Sequence, residues 1–316
     1  MTAAEPSVAA VDRAAMKVVG FERPRLHSQA GADYWALTKP EVNCLIAITT
    51  LVGFYLGLPA PAHPFPFVLL IHTLLGTLLV AAGTATLNQY IERRFDAQMR
   101  RTARRPVASG RMQPLAALRF GILLSSAGVI YLALAVNRLA SLLAAFTLTS
   151  YLFLYTPLKR KTPLCTLAGA IPGAMPPLIG WAAASGKLSL EAWLLYGIVF
   201  LWQFPHFMAI AWMYREDYSR AGYLVLPFGE RRPSFMAWQT LAPCLALIPL
   251  SLIPALLDGA RLIYLIGASI LSSCFFYYAA RLAVHRSNGV ARRLLFASIL
   301  YLPMLFLMMA LDKTRL

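Results

Sequence analysis

Nine apolar runs, each long enough to cross the roughly 30 Å hydrocarbon core of a bilayer, punctuate this 316-residue chain. They fall at about 42–59, 66–91, 115–136, 139–156, 163–184, 190–214, 236–257, 261–284 and 294–311. A backbone that crosses lipid must satisfy its hydrogen bonds internally, and runs of this length do so as helices. The expected fold is therefore all-α: a polytopic membrane bundle of about nine transmembrane helices around a central cavity. Hydrophobic residues make up 59% of the chain and charged residues 13%, too little charge to cover a soluble domain of this size.

The positive charges give the bundle a direction. With nine spans, one side holds the N-terminal stretch and the segments near 92–114, 157–162, 215–235 and 285–293. That side carries 24 of the 29 Lys and Arg residues, so the positive-inside rule reads the chain as N-in/C-out. The net charge of +16 sits on one membrane face, where anionic headgroups or a polyanionic substrate meet it. It implies no nucleic-acid partner. Residues 1–32 lack an apolar core and a cleavage site and read as a disordered cytoplasmic tail ahead of one transmembrane domain, 33–316. Cys44, Cys165, Cys244 and Cys274 lie singly in the spans, without metal-ligand spacing, and read as buried, reduced packing residues.

Two long charged segments share the positive side. One runs from Glu92 to Pro106 and the other from Tyr214 to Pro227, each with an acid near its helix end, Asp96 or Asp217. Thr38-Lys39-Pro40 opens the first span and Lys161-Thr162-Pro163 the fifth. Together these suggest a diverged tandem repeat of spans 1–4 and 5–8, with the two acidic ends facing each other across the cavity.

Asn88, Glu92 and Asp96 are spaced i, i+4, i+8 and line one helical stripe about 12 Å long. Their oxygens are hard ligands of the kind Mg²⁺ takes, one or two carboxylates with water and substrate phosphate completing the octahedron. The alternative is that the acids merely pair with Arg93, Arg94 or Arg100. Asn88 weighs against it, because an amide deep in an apolar span is costly unless satisfied or functional. Arg100, Arg101, Arg104 and Arg105 follow directly, and guanidinium forks suit phosphate oxygens.

Further along, His206 is an ionisable side chain inside a span, and is a functional candidate or a histidine bonded to a neighbouring span. It and Asp217 lie eleven residues apart, close to a shared face on a continuous helix. Trp202, Phe204, Phe207, Trp212, Tyr214 and Tyr218 cluster here, and aromatic faces of this kind attract cations. The fifth span, Gly169 to Gly180, is rich in Pro and Gly, which either line a cavity or permit close helix packing.

These residues resemble the UbiA superfamily of intramembrane prenyltransferases, and within it the haem-farnesylating branch. The superfamily stripe N-x-x-x-D-x-x-x-D is matched by Asn88-Gln-Tyr-Ile-Glu92-Arg-Arg-Phe-Asp96, with Glu92 in place of the middle Asp. Met99-Arg-Arg-Thr-Ala-Arg-Arg-Pro106 matches the family's M-x-R-T-x-x-R-P. Tyr155-Thr-Pro-Leu-Lys-Arg160, Gly173 to Gly180, Trp202-Gln-Phe-Pro-His206-Phe207 and Glu216-Asp-Tyr-Ser-Arg-Ala-Gly222 are similar to the haem branch.

The resemblance covers roughly residues 33–311. It implies an enzyme of the bacterial inner (plasma) membrane, with its active site toward the cytoplasm. The implied reaction joins farnesyl diphosphate to haem b with addition of water, with Mg²⁺ as cofactor and oxidase-assembly or haem-pathway proteins as partners. Metal ligands would be Asn88, Glu92, Asp96 and Asp217. Diphosphate contacts would come from Arg101, Arg104, Arg105, Lys159 and Arg160, and haem contacts from His206 or Tyr155. The catalytic set would comprise Asn88, Glu92, Asp96, Asp217 and His206. An aromatic quinone precursor is the alternative acceptor. A transporter is disfavoured, since the charges gather at one face rather than at mid-depth.

Overall fold

The computed structural model describes residues 26–59, 64–227, 231–257 and 262–313, and every regular element among them is helical. In chain order these are α1 (Leu26–Thr38), α2 (Pro40–Gly57), α3 (Phe67–Asp96), α4 (Pro114–Ala135) and α5, whose stretches Arg138–Thr149 and Thr156–Leu158 are joined by a π-helical turn, Ser150–Tyr155. Then come α6 in two halves (Cys165–Gly173 and Met175–Ser185), α7 (Leu190–Met213), the short α8 (Arg215–Arg220), α9 (Arg231–Leu257), α10 (Leu262–His285) and α11 (Asn288–Lys313). Among the described residues nine helices are long and apolar enough to cross a membrane, all but α1 and α8. All nine expected runs overlap these spans. Three helices extend beyond them: α3 runs on to Asp96 rather than ending near 91, α9 begins at Arg231 rather than near 236, and α11 begins at Asn288 rather than near 294, taking Arg292 and Arg293 into the helix. α1 also begins inside the stretch expected to be a tail, so residues 26–32 are helical, while 1–25 lie outside the described residues.

Burial sorts the spans into layers. In α6, 72% of the membrane window is buried, against 28% in α2, α4 and α10, so α6 is the central helix. The rest of the bundle packs around it, with α2 on α6, α4 on α3, α9 and α11 on α7, and α10 between α9 and α11. Lipid is as apolar as leucine, so hydrophobicity alone does not hold such helices together. Close backbone approach between small residues does. A Cβ on Gly83 of α3 would strike Ser125 of α4, and one on Gly121 of α4 would strike Leu87 of α3. Large apolar side chains instead face outward, Leu134 and Leu123 among them. Cys165 and Cys244 are buried as expected, but Cys44 and Cys274 are exposed on this outer face.

Breaks in the helices have local causes. Pro172 lacks a backbone donor, and Pro176 and Pro177 restart the chain as the first turn of the second half of α6, where missing donors cost nothing. At the break, Gln203 of α7 donates through Nε2 to the Ala170 carbonyl at 3.2 Å. Between α4 and α5, Asn137 caps α5 by accepting from the Ala140 N–H at 2.9 Å, and its amide donates to the Ala182 carbonyl at 2.8 Å.

The two long segments after α3 and α7 converge at one end of the bundle. Arg101 donates its backbone N–H to Asp217 at 3.1 Å, and Met99, Ala221 and Tyr223 form a small apolar cluster between them. The Leu224 N–H donates to the Lys159 carbonyl at 2.7 Å, tying the second segment to the end of α5. Arg215 reaches Asn288 Oδ1 at 2.8 Å, which puts the α10–α11 turn at this same end.

A close backbone approach gives a test of the frame. A Cβ on Gly180 would run into the Thr50 carbonyl of α2, a backbone atom that cannot swing aside. Gly180→Ala should therefore cost roughly 1–3 kcal/mol, the usual cost of overpacking, read as a lowered thermal midpoint in detergent. An unchanged midpoint would mean that α2 and α6 part freely.

Candidate active site

The stripe on α3 continues as helix through Asp96, so Asn88, Glu92 and Asp96 lie on one face, 1%, 5% and 1% exposed. Buried carboxylates need partners, because an isolated charge taken from water costs several kcal/mol. Glu92 is held by Lys159 Nζ at 2.8 and 3.1 Å. Asp96 receives Arg105 Nη1 at 2.8 Å on both oxygens. The simple pairings with Arg93, Arg94 or Arg100 do not form: Arg93 turns back over the Tyr90 ring and bonds the Tyr90 carbonyl. Asn88 donates to Thr156 Oγ1 at 3.3 Å, and Thr156 in turn donates to the Tyr151 carbonyl at 2.8 Å.

The facing wall comes from the π-helical turn of α5, a local widening of the kind found mostly at functional sites. Tyr151, Tyr155 and Lys159 repeat the i, i+4, i+8 spacing of the α3 stripe. The Lys159 ammonium lies 4.5 Å from the Tyr155 ring centroid and 5.9 Å from that of Tyr151. Tyr223, from the second converging segment, is buried beside Glu92, with its ring 6.0 Å from the same ammonium. Burial alone would favour neutral Lys159, but Glu92 and the aromatic groups hold its pKa well above the ordinary lysine range.

Lys39 completes the cluster. Pro40 at the first position of α2 disfavours αR backbone for the residue before it, and the chain turns here through φ 51°, ψ 65°. A left-handed non-glycine residue costs about 1–3 kcal/mol and persists only where its surroundings fix it. Here Gln89 of α3 holds the Leu37 carbonyl at 2.9 Å and Asn43 holds the Thr38 carbonyl at 3.0 Å. Burial, then the nearby charges of Arg105 and Lys159, push the Lys39 pKa down to about 7 against the opposing pull of Glu92 and Asp96. Arg105 and Lys159 thus pair the two carboxylates, and Lys39, its charge weakened by burial, is coupled to all four.

The remaining expected residues divide. Arg101 stacks on the Tyr214 ring at 4.8 Å and reaches Tyr218 at 3.5 Å. Arg160 lies over Phe95 at 4.2 Å, and Arg104 is exposed. Asp217 accepts the Arg101 N–H and pairs with Arg220. Burial opposes its ionisation, but backbone N–H groups of Arg101 and Arg100 and the Arg220 side chain together hold its carboxyl below the ordinary range. His206 does not share a helix face with Asp217, because Tyr214, at φ −107° and ψ 22°, ends α7 and starts α8. The His206 Nδ1 lies 2.8 Å from Ser298 Oγ of α11, and its ring stacks on Trp202 at 4.7 Å. Sequence reading passed over Lys39, Tyr151, Thr156 and Tyr223. The repeated spacing of Tyr151, Tyr155 and Lys159 was the one available signal.

Among the described residues no three His, Cys, Asp or Glu side chains form a metal cage. The donors present nevertheless suit Mg²⁺: two buried carboxylates and an amide oxygen, with room in the charge balance for phosphate oxygens to complete the shell.

The UbiA prenyltransferase family model matches residues 46–302. Protoheme IX farnesyltransferase from Solibacter usitatus is 50% identical over 287 residues, spanning 89% of this chain and 98% of the relative. Among solved structures, the digeranylgeranylglyceryl phosphate synthase superimposes with a TM-score of 0.71 at 19% identity, over 90% of this chain and 99% of that one. A UbiA homolog from Archaeoglobus fulgidus bound to GPP and Mg²⁺ does so with a TM-score of 0.60 at 14% identity, over 88% of this chain and 99% of that one. With the carboxylate stripe buried among cations at one end of a membrane helical bundle, the chain belongs to the UbiA prenyltransferase family.

Proposed function

We propose that this protein transfers the farnesyl group of farnesyl diphosphate to a vinyl group of haem b, with addition of water, giving haem O and diphosphate for terminal-oxidase assembly. The observation that carries the diphosphate half is the buried cluster of Glu92 and Asp96 with Lys39, Arg105 and Lys159. The acceptor follows from the haem-farnesylating relatives. A quinone precursor as acceptor has no comparable support. The excess of Lys and Arg on one side favours N-in/C-out insertion in the inner membrane, with this cluster toward the cytoplasm.

Asn88, Glu92 and Asp96 would hold Mg²⁺, and Asp217, bonded to the Arg101 N–H of the segment that follows α3, would assist a second ion. When bound, Mg²⁺ would neutralise charge on the departing diphosphate. Arg105 and Lys159 already rest against the carboxylates, so each needs only a side-chain rotation to reach phosphate oxygens lying between them. Lys39 supplies the third positive charge. Arg101, Arg104 and Arg160, on the segments that lead into the cluster, would attract the polyanion as it approaches.

Below this charged end the rings of Tyr151, Tyr155 and Tyr223 already surround one cation, the Lys159 ammonium. Their faces therefore suit a developing allylic cation once Lys159 turns to the phosphate. The apolar contact of Met99 with Ala221 and Tyr223 closes the converging segments and limits stray water. His206, with Nδ1 engaged by Ser298, keeps Nε2 for the haem. Tyr155, against Lys159, falls to the farnesyl side.

Asp96→Ala should lower haem O formation in proteoliposomes by about 10²–10³-fold or more, the usual cost of losing one electrostatic catalytic group, while the protein still elutes as folded. Full activity in that variant would remove the stripe from the mechanism. Chelation with EDTA should stop diphosphate release, and added Mg²⁺ should restore it; release that persists in EDTA would exclude the metal.

Lys159→Met leaves Glu92 buried and unpaired, so stability should fall by about 3–5 kcal/mol. Adding Glu92→Gln should recover most of that stability and none of the turnover. Recovery of both would reduce the pair to a structural role.

A further inference from the structure

Away from the carboxylate cluster, α10 and α11 enclose a groove of about 430 Å³ that opens on the outer, lipid-facing side of the bundle. Its floor is the stacked pair Phe275 and Tyr301, ring centroids 4.9 Å apart and both buried. That floor is fixed from behind, since the Tyr301 hydroxyl lies 3.2 Å from Ser272 Oγ, which lies 3.0 Å from Ser251 Oγ. The walls are apolar and exposed, with Phe296 64% and Leu300 48% accessible. Arg292 and Arg293 stand at the head of the groove.

Depth and charge identify the occupant. The groove follows α11 from Arg292 to Tyr301, about 13 Å along the helix axis. Its charged end lies one turn inside Asn288, at the end of the bundle that Arg215 shares through its bond to Asn288. Both guanidiniums are exposed, and neither has a carboxylate partner among the described residues. A rigid hydrocarbon channel headed by two unpaired cations at headgroup level fits one negative charge on an apolar chain. Basic pockets between membrane helices recognise anionic lipid in this way.

We propose that this groove is a binding site for one anionic phospholipid, its acyl chain along Phe275 and Tyr301 and its phosphate between Arg292 and Arg293. The site is separate from the carboxylate cluster and needs neither the metal nor the prenyl donor. α11 stands between it and His206, whose partner Ser298 is on the same helix.

The test uses the full chain in neutral detergent, with phosphatidylglycerol or phosphatidylcholine of identical acyl chains added and retention read by native mass spectrometry. One phosphatidylglycerol per chain should be retained at least about tenfold more tightly than phosphatidylcholine, in keeping with a contribution near the surface from each of two arginines. Arg292→Gln with Arg293→Gln should abolish that preference. Ala297→Trp, which fills the groove and keeps both guanidiniums, should abolish retention. Arg281→Gln, beside Tyr277 and outside the groove, should leave both unchanged. Equal retention of the two lipids by the unaltered chain would overturn the proposal, and that arm requires no variant to fold. Unchanged retention in Ala297→Trp would overturn it too, by assigning binding to a diffuse basic surface, as would pairing of two chains through this face with no lipid bound.

Discussion

Two carboxylates buried at the end of α3 set the terms for everything around them. Glu92 and Asp96 are out of water, where a carboxylate is costly without a cation at contact distance. Lys159 and Arg105 meet that demand from two different parts of the chain. The end of α5 and the segment after α3 are therefore drawn over the same stripe. Lys39 adds a third basic group, and burial first, then its two cationic neighbours, lower its pKa to about 7, so that an incoming anion would favour its charged form. A protein built only for stability gains nothing from such crowding. A protein that receives a polyanion does, because the ligand completes the charge balance that the side chains leave open.

Holding that cluster requires a frame that does not give way. The frame consists of backbones brought together by glycine: Gly83 and Gly121 between α3 and α4, Gly180 between α6 and α2. The central helix α6 is divided at Ala174, and Gln203 braces the division from α7. Its first half carries Gly169, against which the Tyr155 ring packs, so the broken central helix and the π-helical turn of α5 position the aromatic wall together. The left-handed turn at Lys39 belongs to the same frame, since Gln89, one position beyond Asn88 on α3, holds the end of α1 in place.

Hydropathy revealed the spans because lipid imposes a single strong requirement on every residue of a run, and that requirement leaves a mark in composition. The stripe was legible for a related reason: Asn88, Glu92 and Asp96 lie on one uninterrupted helix, where spacing alone fixes the face. Where the helix ends, spacing ceases to predict. His206 and Asp217 looked aligned by arithmetic, yet the turn at Tyr214 lies between them. Ser298 as the partner of His206, and Arg105 rather than Arg93 or Arg100 as the partner of Asp96, are choices made by tertiary packing between distant or folded-back segments. The αL backbone of Lys39 is likewise set by contacts with α3, and no local pattern announces it.

The placement of charge also bears on how one site handles two incompatible species. A diphosphate is stabilised by cations and metal, whereas the allylic cation left behind is destabilised by them. Lys159 lies between the two regions, bound to Glu92 on one side and bordered by tyrosine faces on the other, a position from which it could serve both. In the proposed reaction, a turn toward phosphate would remove a positive charge from the aromatic wall at the moment that wall is needed for carbon. The two oppositely charged fragments of one donor would then share one end of the bundle, separated by the length of a lysine side chain.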